Sequence, residues 1–288
     1  MSRPTRWPGR RELLALLEEE RQLIIRRYQE HEKIAEPIGP HHGVRWYLDI
    51  GKQWAVHHLA EMGTLPPGRL LDIGAYYGLI PGVAHRLGWS VAAVDVAPIP
   101  GFSSLRIPER KVECAEYNAC TDELPFPAES FDLVLLCEVL EHLQYSPMPM
   151  LREIHRVLRP GGSLFISTPN PAGLGKLVRL ALGQNPLEPH VDVMLAEGQT
   201  FTHKGLTFLA SNRESKLWTL GEIDKALSLA GMGTVRAFRY GNTVPLELMS
   251  ASKRLAATAS RWLMPVLKRL PVGGGSNFVH ARRPATAG

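Results

Sequence analysis

The apolar residues between positions 70 and 168 fall into short runs that alternate with longer stretches of mixed polarity. A nearly uninterrupted apolar run such as Phe131–Cys137 predicts a strand that is buried on both faces of a parallel sheet. Helices are predicted between these runs, at 79–87 and 147–158. Because strands and helices alternate, the pattern predicts an α/β fold with right-handed crossovers between parallel strands.

The sequence predicts seven strands, at 70–73, 90–95, 111–117, 131–137, 163–168, 233–240 and 277–281. The last two, with helices at 219–229 and 246–270, are expected to close one edge of the sheet. Residues 170–213 interrupt the alternation, so we predict an insertion that caps the carboxyl edge of the sheet. It should contain a short helix at 174–182 and a loop with His190 and His203.

Two helices are predicted before the alternating region, at 11–34 and 54–62. We therefore expect an N-terminal helical extension over residues 1–65 and a main domain over residues 66–288. Packing against the main domain is the favoured role of the first helix. A lid or a homodimer contact is the alternative.

Composition narrows the class of protein. A hydrophobic content of 44% over 288 residues is typical of a globular chain, and the net charge of +5 permits an anionic partner without requiring one. The three cysteines show no Cys-x-x-Cys spacing, which favours reduced thiols and a cytoplasmic location. No apolar run reaches the ~18 residues of a membrane span. An acidic stretch, Glu18-Glu19-Glu20, argues against a signal peptide.

The stretch 70–78 predicts a strand, a tight turn and the start of a helix. This arrangement can bind a nucleotide-like cofactor, because the helix N-terminus directs backbone N–H groups at it. Gly74 permits the turn, and Gly78 lets the helix pack close to the strand. Asp95 follows Gly74 by 21 residues, at the end of the next strand, where it could accept hydrogen bonds from a ribose. An ordinary βαβ unit remains the alternative.

A second group of polar residues follows the fourth predicted strand. Glu138, Glu141 and His142 are three and four positions apart, so one helical turn brings them together. Two carboxylates and an imidazole at one place repel and lose hydration unless a cation balances them. The group therefore predicts either a divalent-metal site or, without metal, His142 as a general base.

Four motifs in order resemble the class I S-adenosylmethionine-dependent methyltransferases over residues 70–240. They are Leu71-Asp72-Ile73-Gly74-x-x-x-Gly78, the acid Asp95, Leu124-Pro125-Phe126-Pro127-x-x-x-Phe131-Asp132, and Leu151-Arg152-Glu153-Ile154-x-Arg156-Val157-Leu158-Arg159-Pro160-Gly161-Gly162. The resemblance implies a Rossmann-like, mostly parallel seven-stranded sheet with helices on both faces. It also implies S-adenosylmethionine as the cofactor.

The same resemblance implies roles for individual residues. The residues that would contact the methionine part are Asp72, Gly74, Ala75, Tyr76 and Gly78. Asp95 would bind the ribose, and Asn118 and Ala119 would lie beside the adenine. Tyr76 stands where the family usually has a second glycine, and Asn118 where many members have an aspartate.

The segment from Cys137 to Leu143 is similar to the divalent-metal site of ubiquinone-pathway O-methyltransferases and of small-RNA terminal 2′-O-methyltransferases. The resemblance implies Mg²⁺ bound by Glu138, Glu141, His142 and a fourth ligand at Glu214, where the family often has histidine. If His142 binds metal through one nitrogen, then His190, His203 or the pair His41 and His42 could accept the proton instead.

Metal and histidine together point to a hydroxyl acceptor with a neighbouring oxygen. The whole chain also resembles bacterial sugar methyltransferases, including those that methylate mannose polysaccharides, so we expect O-methylation of a sugar or oligosaccharide. A catechol-type molecule, a quinone precursor or an RNA 2′-hydroxyl is the alternative acceptor. We find no aromatic and basic platform for RNA, which disfavours nucleic acid as a partner. A nucleotide-binding oxidoreductase would share the βαβ unit but not the acidic cluster.

Overall fold

The computed structural model describes residues 6–31, 44–96, 112–185, 200–209, 214–241 and 273–285. The predicted helix at 246–270 lies outside these residues, as do His41, His42 and His190.

Seven strands form one sheet, as predicted, with the spatial order β3-β2-β1-β4-β5-β9-β8. They are β1 (Arg69–Ile73), β2 (Ser90–Asp95), β3 (Glu113–Glu116), β4 (Phe131–Cys137), β5 (Leu158–Pro169), β8 (Gly233–Tyr240) and β9 (Ser276–Arg282). The strands from β3 to β5 pair in parallel, whereas β9 runs antiparallel to both of its neighbours. The Rossmann-like, mostly parallel sheet predicted from the sequence is therefore confirmed.

Helices cover both faces of the sheet. They are α1 (Arg10–His31), α2 (Val44–Met62), α3 (Leu79–Arg86), α4 (Met148–Val157), α5 (Leu174–Ala181) and α6 (Leu220–Leu229). The apolar sides of α1, α2 and α3 share one core with residues such as Leu70 and Phe165, and α4 and α6 share a second core with Phe131 and Leu136. Since α1 and α2 pack on the sheet, they position residues close to its carboxyl edge. The boundary predicted at residue 66 stays a prediction.

The strand β5 begins at Leu158, five residues earlier than predicted. The sequence 159–162 was expected to form a tight turn, and Gly161 does have a φ of +78°. Two backbone hydrogen bonds nevertheless keep this stretch in the sheet. Gly161 N donates to the Arg283 carbonyl at 3.0 Å, and Arg283 N donates to the Gly162 carbonyl at 2.9 Å. The turn is therefore an irregularity within the strand, where the register with β4 shifts.

The insertion after β5 contains α5 and, in place of the predicted loop around His203, a β-hairpin. Its strands are β6 (Thr200–His203) and β7 (Leu206–Leu209), joined by Lys204 and Gly205 with φ values of +46° and +80°. Such a two-residue turn with two positive φ values suits a hairpin. The Tyr145 hydroxyl donates to the Thr207 carbonyl at 2.6 Å, which anchors the hairpin beside the site described below. Among the described helices, none is long and apolar enough to cross a membrane.

Candidate active site

The turn after β1 has the backbone path that its glycines predicted. Gly74 has a φ of +77°, and a Cβ at this position would collide with Cγ2 of Val139. Gly78 has a φ of +75° and precedes the first residue of α3. Tyr76, which replaces the usual second glycine, itself adopts a φ of +45°. The turn therefore keeps a left-handed residue at this position although a side chain is present.

Asp95 connects this turn to the end of β2. Its carboxylate accepts hydrogen bonds from Tyr76 N and Val96 N, each at 2.8 Å. Burial raises the pKa of Asp95 to about 6, against the lowering effect of these two donors. The acid predicted to hold a ribose thus lies beside the turn predicted to hold the rest of the cofactor.

Asp72 lies beneath the turn and is almost fully buried, and its Oδ1 has no hydrogen-bond partner. Burial, and then the charge of Asp95, raise its pKa well above the ordinary value. Asp72 lines a small, partly open cavity of about 20 Å³ together with Ala75, Trp54 and Cys137. Trp54 reaches this place from α2, so the N-terminal helices contribute to the site.

Asn118 and Ala119 form a turn after β3. Asn118 Oδ1 accepts a hydrogen bond from Cys120 N at 3.0 Å, and Asn118 N donates to Asp122 Oδ2 at 2.9 Å. His203 Nε2 lies 2.8 Å from the other oxygen of Asp122. The hairpin is therefore tied to the turn predicted to contact adenine, and the structure places His203 there.

Glu138, Glu141 and His142 meet after β4, as their spacing predicted. Glu138 has a φ of +54°, which is strained for a residue with a side chain, and its Oε1 is buried without a hydrogen-bond partner. A short 3-10 helix, Leu140–His142, presents the other two side chains. Glu141 Oε2 accepts from Thr168 Oγ1 at 2.9 Å, and Glu141 Oε1 lies 3.9 Å from His142 Nε2. We call Glu138, Glu141 and His142 the acid corner.

Glu214 lies near the acid corner, since the N–H group of the next residue, Ser215, donates to the Glu141 carbonyl at 2.5 Å. Its carboxylate also forms an ion pair with Lys176 of α5 at 3.3 Å. Within the described part of the chain, no three or more His, Cys, Asp or Glu side chains are arranged to hold a metal ion. The four predicted ligands are therefore neighbours, but their side chains do not form a ready-made metal site.

Comparison with known proteins agrees with this geometry. A family model described as "Methyltransferase domain" matches residues 71–166, which include the turn, Asp95 and the acid corner. A solved S-adenosylmethionine-dependent methyltransferase from Mesorhizobium loti has the same fold, with a TM-score of 0.50 at 22% identity over 78% of this chain and 96% of that one. Residues 71–166 therefore match a methyltransferase domain, and the chain shares its fold with an S-adenosylmethionine-dependent methyltransferase.

Curated relatives of this methyltransferase domain include two from Xanthomonas. "Ubiquinone biosynthesis O-methyltransferase" of Xanthomonas campestris pv. campestris (strain B100) is 33% identical over 136 residues, and that of Xanthomonas oryzae pv. oryzae (strain PXO99A) is 33% identical over 141 residues. Each match covers 44% of this chain and 56% of the relative. The chain thus spans little more than half the length of these relatives.

The electrostatics of the candidate site follow from burial. Burial raises the pKa of Glu141 to about 8, and it raises the pKa of Glu138 well above its ordinary value, with the charge of Glu141 as the next cause. At neutral pH Glu141 is therefore mostly protonated unless a positive charge approaches it.

Some residues at the site were missed by the sequence analysis. Trp54, Ser167, Thr168 and Tyr240 lie at the carboxyl edge beside the predicted residues, but no motif contains them. Thr168 could have been found, because it ends the apolar run of β5 next to the strand that carries Glu138. The other three depend on contacts between distant elements.

We predict that Glu141→Gln changes the pH dependence of folding stability. The unfolded carboxyl ionises near 4.5 but the folded one near 8, so the wild-type free energy of unfolding falls as pH rises through this window. Glutamine has no such proton, so the stability of the variant relative to wild type should rise between about pH 5 and pH 8. Chemical denaturation of both proteins across this pH range, in the presence of EDTA, measures the two free energies of unfolding.

Glu222→Gln is the control, because the pKa of Glu222 is lowered by the N–H group of Thr219 at the start of α6. That carboxyl is ionised in both states above about pH 5, so its effect on stability should be constant over the same window. An equally constant effect of Glu141→Gln would contradict the assignment of a raised pKa to Glu141.

Proposed function

We propose that the chain transfers the methyl group of S-adenosylmethionine to a hydroxyl group of a sugar or oligosaccharide. The observation that supports it best is that the acid corner and Asp95 lie at the same edge of the sheet, because β4 and β2 both pair in parallel with β1 and end level with it. A proton-accepting imidazole would therefore lie close to a bound nucleoside. The curated relatives are named as O-methyltransferases, which favours oxygen as the acceptor atom.

The residues of the turn fit the proposed cofactor. Asp95 would accept hydrogen bonds from the ribose hydroxyls, and Asp72 offers a buried carboxyl oxygen with no protein partner. The small cavity of about 20 Å³ has room for about one water molecule, so the cofactor would lie across the turn rather than inside this cavity. S-adenosylmethionine supplies an activated methyl group when bound.

His142 would accept the proton of the acceptor hydroxyl. An alcohol is a weak nucleophile at neutral pH, and a positioned base removes its proton as the new bond forms. His142 is partly exposed, with 31% of its side chain accessible, so an acceptor can reach it. Its Nδ1 is buried without a hydrogen-bond partner. Protein groups that align the acceptor with the methyl group would contribute further to the rate.

The proposal extends to a divalent cation at the acid corner, with Mg²⁺ as the candidate. The donor chemistry supports it, because a cation would stabilise the ionised form of two buried acids whose pKa values are raised, and Glu138 Oε1 has no partner. The ion pair between Glu214 and Lys176 would have to open for Glu214 to act as a ligand. If bound, Mg²⁺ would lower the pKa of a coordinated hydroxyl.

A catechol-type acceptor is the second candidate. The specific observation in its favour is that the curated relatives are named ubiquinone biosynthesis O-methyltransferases. A sugar diol and a catechol share a hydroxyl beside a second oxygen, so both could be bound by the same corner. A screen with labelled S-adenosylmethionine and sugars, catechols and short RNAs would separate these acceptors.

We predict that Asp95→Asn weakens binding of S-adenosylmethionine by about tenfold or more, because hydrogen bonds to a charged group contribute about 1.5–3 kcal/mol. Wild-type affinity should also fall as pH drops through about 6, where Asp95 becomes protonated and loses acceptor capacity. The variant should lack this pH step. Isothermal titration calorimetry measures both effects.

Glu116→Gln is the matched control, because Glu116 is exposed and pairs with Asp95 in the β2–β3 ladder. It should bind the cofactor as wild type does. Equal affinity of Asp95→Asn and wild type would remove Asp95 from the cofactor site.

The roles of cation and base can be separated by one set of assays. If a cation acts, EDTA should abolish methyl transfer, Mg²⁺ should restore it, and Mg²⁺ should raise the thermal midpoint of wild type but not of Glu138→Gln. His142→Ala should lose at least about 100-fold in kcat, as expected for a general base. Glu123→Gln, an exposed acid, serves as the control.

Full activity in EDTA, with no effect of Mg²⁺ on the thermal midpoint, would reject the cation and leave His142 as the base. Normal kcat in His142→Ala would reject His142 in either role.

A further inference from the structure

Three buried polar atoms without a hydrogen-bond partner lie together behind the acid corner. They are Oε1 of Glu138, Oγ of Ser167 and the hydroxyl oxygen of Tyr240. Glu138 N donates to the Ser167 carbonyl at 2.9 Å, so these two residues are adjacent. Burial raises the pKa of Tyr240, and the nearby hydroxyls of Ser167 and Ser276 lower it. The hydroxyls of Ser167 and Tyr240 therefore lie near one another, but neither meets the geometry of a hydrogen bond.

The fold explains why these atoms meet. Ser167 pairs with Cys137 across β4 and β5, and with Phe278 across β5 and β9. Tyr240 ends β8 opposite Ser276, and its ring packs against His57 of α2 with the ring centroids 4.6 Å apart. Ser167 is fully buried and Tyr240 is 4% exposed. Both hydroxyls are thus held by rigid elements at the carboxyl edge.

Such a group of hydroxyls is unusual in a protein interior. Buried polar groups nearly always have a partner, because an unpaired one loses its hydration without compensation. Tyr240 belongs to the apolar core, and Ser167 pairs with Cys137 and Phe278 of the same core, so apolar side chains would suit both positions. A polar ligand that supplies hydrogen bonds accounts for the hydroxyls.

The position of this group separates it from the predicted cofactor. Asp95 lies on β2, at the other side of β1 and β4, whereas Ser167 lies on β5 and Tyr240 on β8. The acid corner lies between the two sides. A ligand at Ser167 and Tyr240 would therefore be the acceptor, approaching His142 and Glu138 from the side opposite the ribose.

We propose that Tyr240 and Ser167 bind a second hydroxyl of the acceptor, next to the hydroxyl that is methylated. This inference rests on the proposed O-methyl transfer. The acceptor would then be a molecule with two adjacent hydroxyl groups, as in a sugar diol. A site built to pair with a hydroxyl rejects an analogue that lacks it, because the protein groups are then left unpaired. Tyr240 and Ser167 would thus determine acceptor specificity.

Folding stability tests the assignment without any acceptor. Tyr240→Phe and Ser167→Ala should keep or raise the thermal midpoint, because each removes a buried hydroxyl that has no partner. Ser163→Ala is the matched control on the same strand: Ser163 is buried and its hydroxyl bonds to His280 Nε2 at 3.0 Å, so its loss should lower the midpoint. A fall for Tyr240→Phe or Ser167→Ala as large as that of Ser163→Ala would overturn the proposal.

Kinetics test the same assignment with an acceptor. For wild type, removing the adjacent hydroxyl from a sugar acceptor should lower kcat/KM by about tenfold or more. Tyr240→Phe should show little of this discrimination, while its affinity for S-adenosylmethionine, measured by calorimetry, stays that of wild type. Undiminished discrimination in Tyr240→Phe would overturn the subsite and leave the proposed function intact.

Failure of the proposed function has a different result. Wild type would then transfer no methyl group to any oxygen acceptor in the screen, and this outcome would reject the acceptor assignment of Tyr240 and Ser167 together with the reaction.

Discussion

The parallel register of three strands is the constraint on which the site depends. Ile73 of β1 pairs with Val94 on one side and with Leu136 on the other. The strands β1, β2 and β4 therefore end at the same level, and the residues that follow them meet at one edge of the sheet. This edge brings together the glycine turn, Asp95 and the acid corner. Ligand sites in open α/β sheets lie at this edge for the same reason.

The site concentrates features that oppose folding. Glu138 adopts a left-handed backbone conformation, Glu141 and Asp72 are buried acids with raised pKa values, and several polar atoms lack partners. Each feature costs free energy in a molecule whose net stability is small. Two large apolar cores on the faces of the sheet stabilise the fold against these costs. Strained backbone, buried acids and unpaired polar atoms gathered at one edge of a sheet are typical of a ligand-binding site.

The parts of the fold that could be predicted are those set by the order of neighbouring residues in the sequence. The apolar runs of β1, β2 and β4 and the glycine turn follow from a few neighbouring residues, and the structure confirms them. The start of β5 at Leu158 could not be predicted, because its pairing with Arg283 joins residues more than a hundred positions apart. The hairpin that carries His203 was missed because its strands are only four residues each. Trp54 and Tyr240 reach the site through the packing of α2 and β8, which no local motif records.

A crystal structure of the protein with S-adenosylhomocysteine would test the central claim most directly, because it locates the reacting sulfur. The account predicts that the ribose hydroxyls lie within hydrogen-bond distance of Asp95 and that the sulfur faces Glu138 and His142. A sulfur atom remote from the acid corner, or a nucleoside bound away from Asp95, would contradict it.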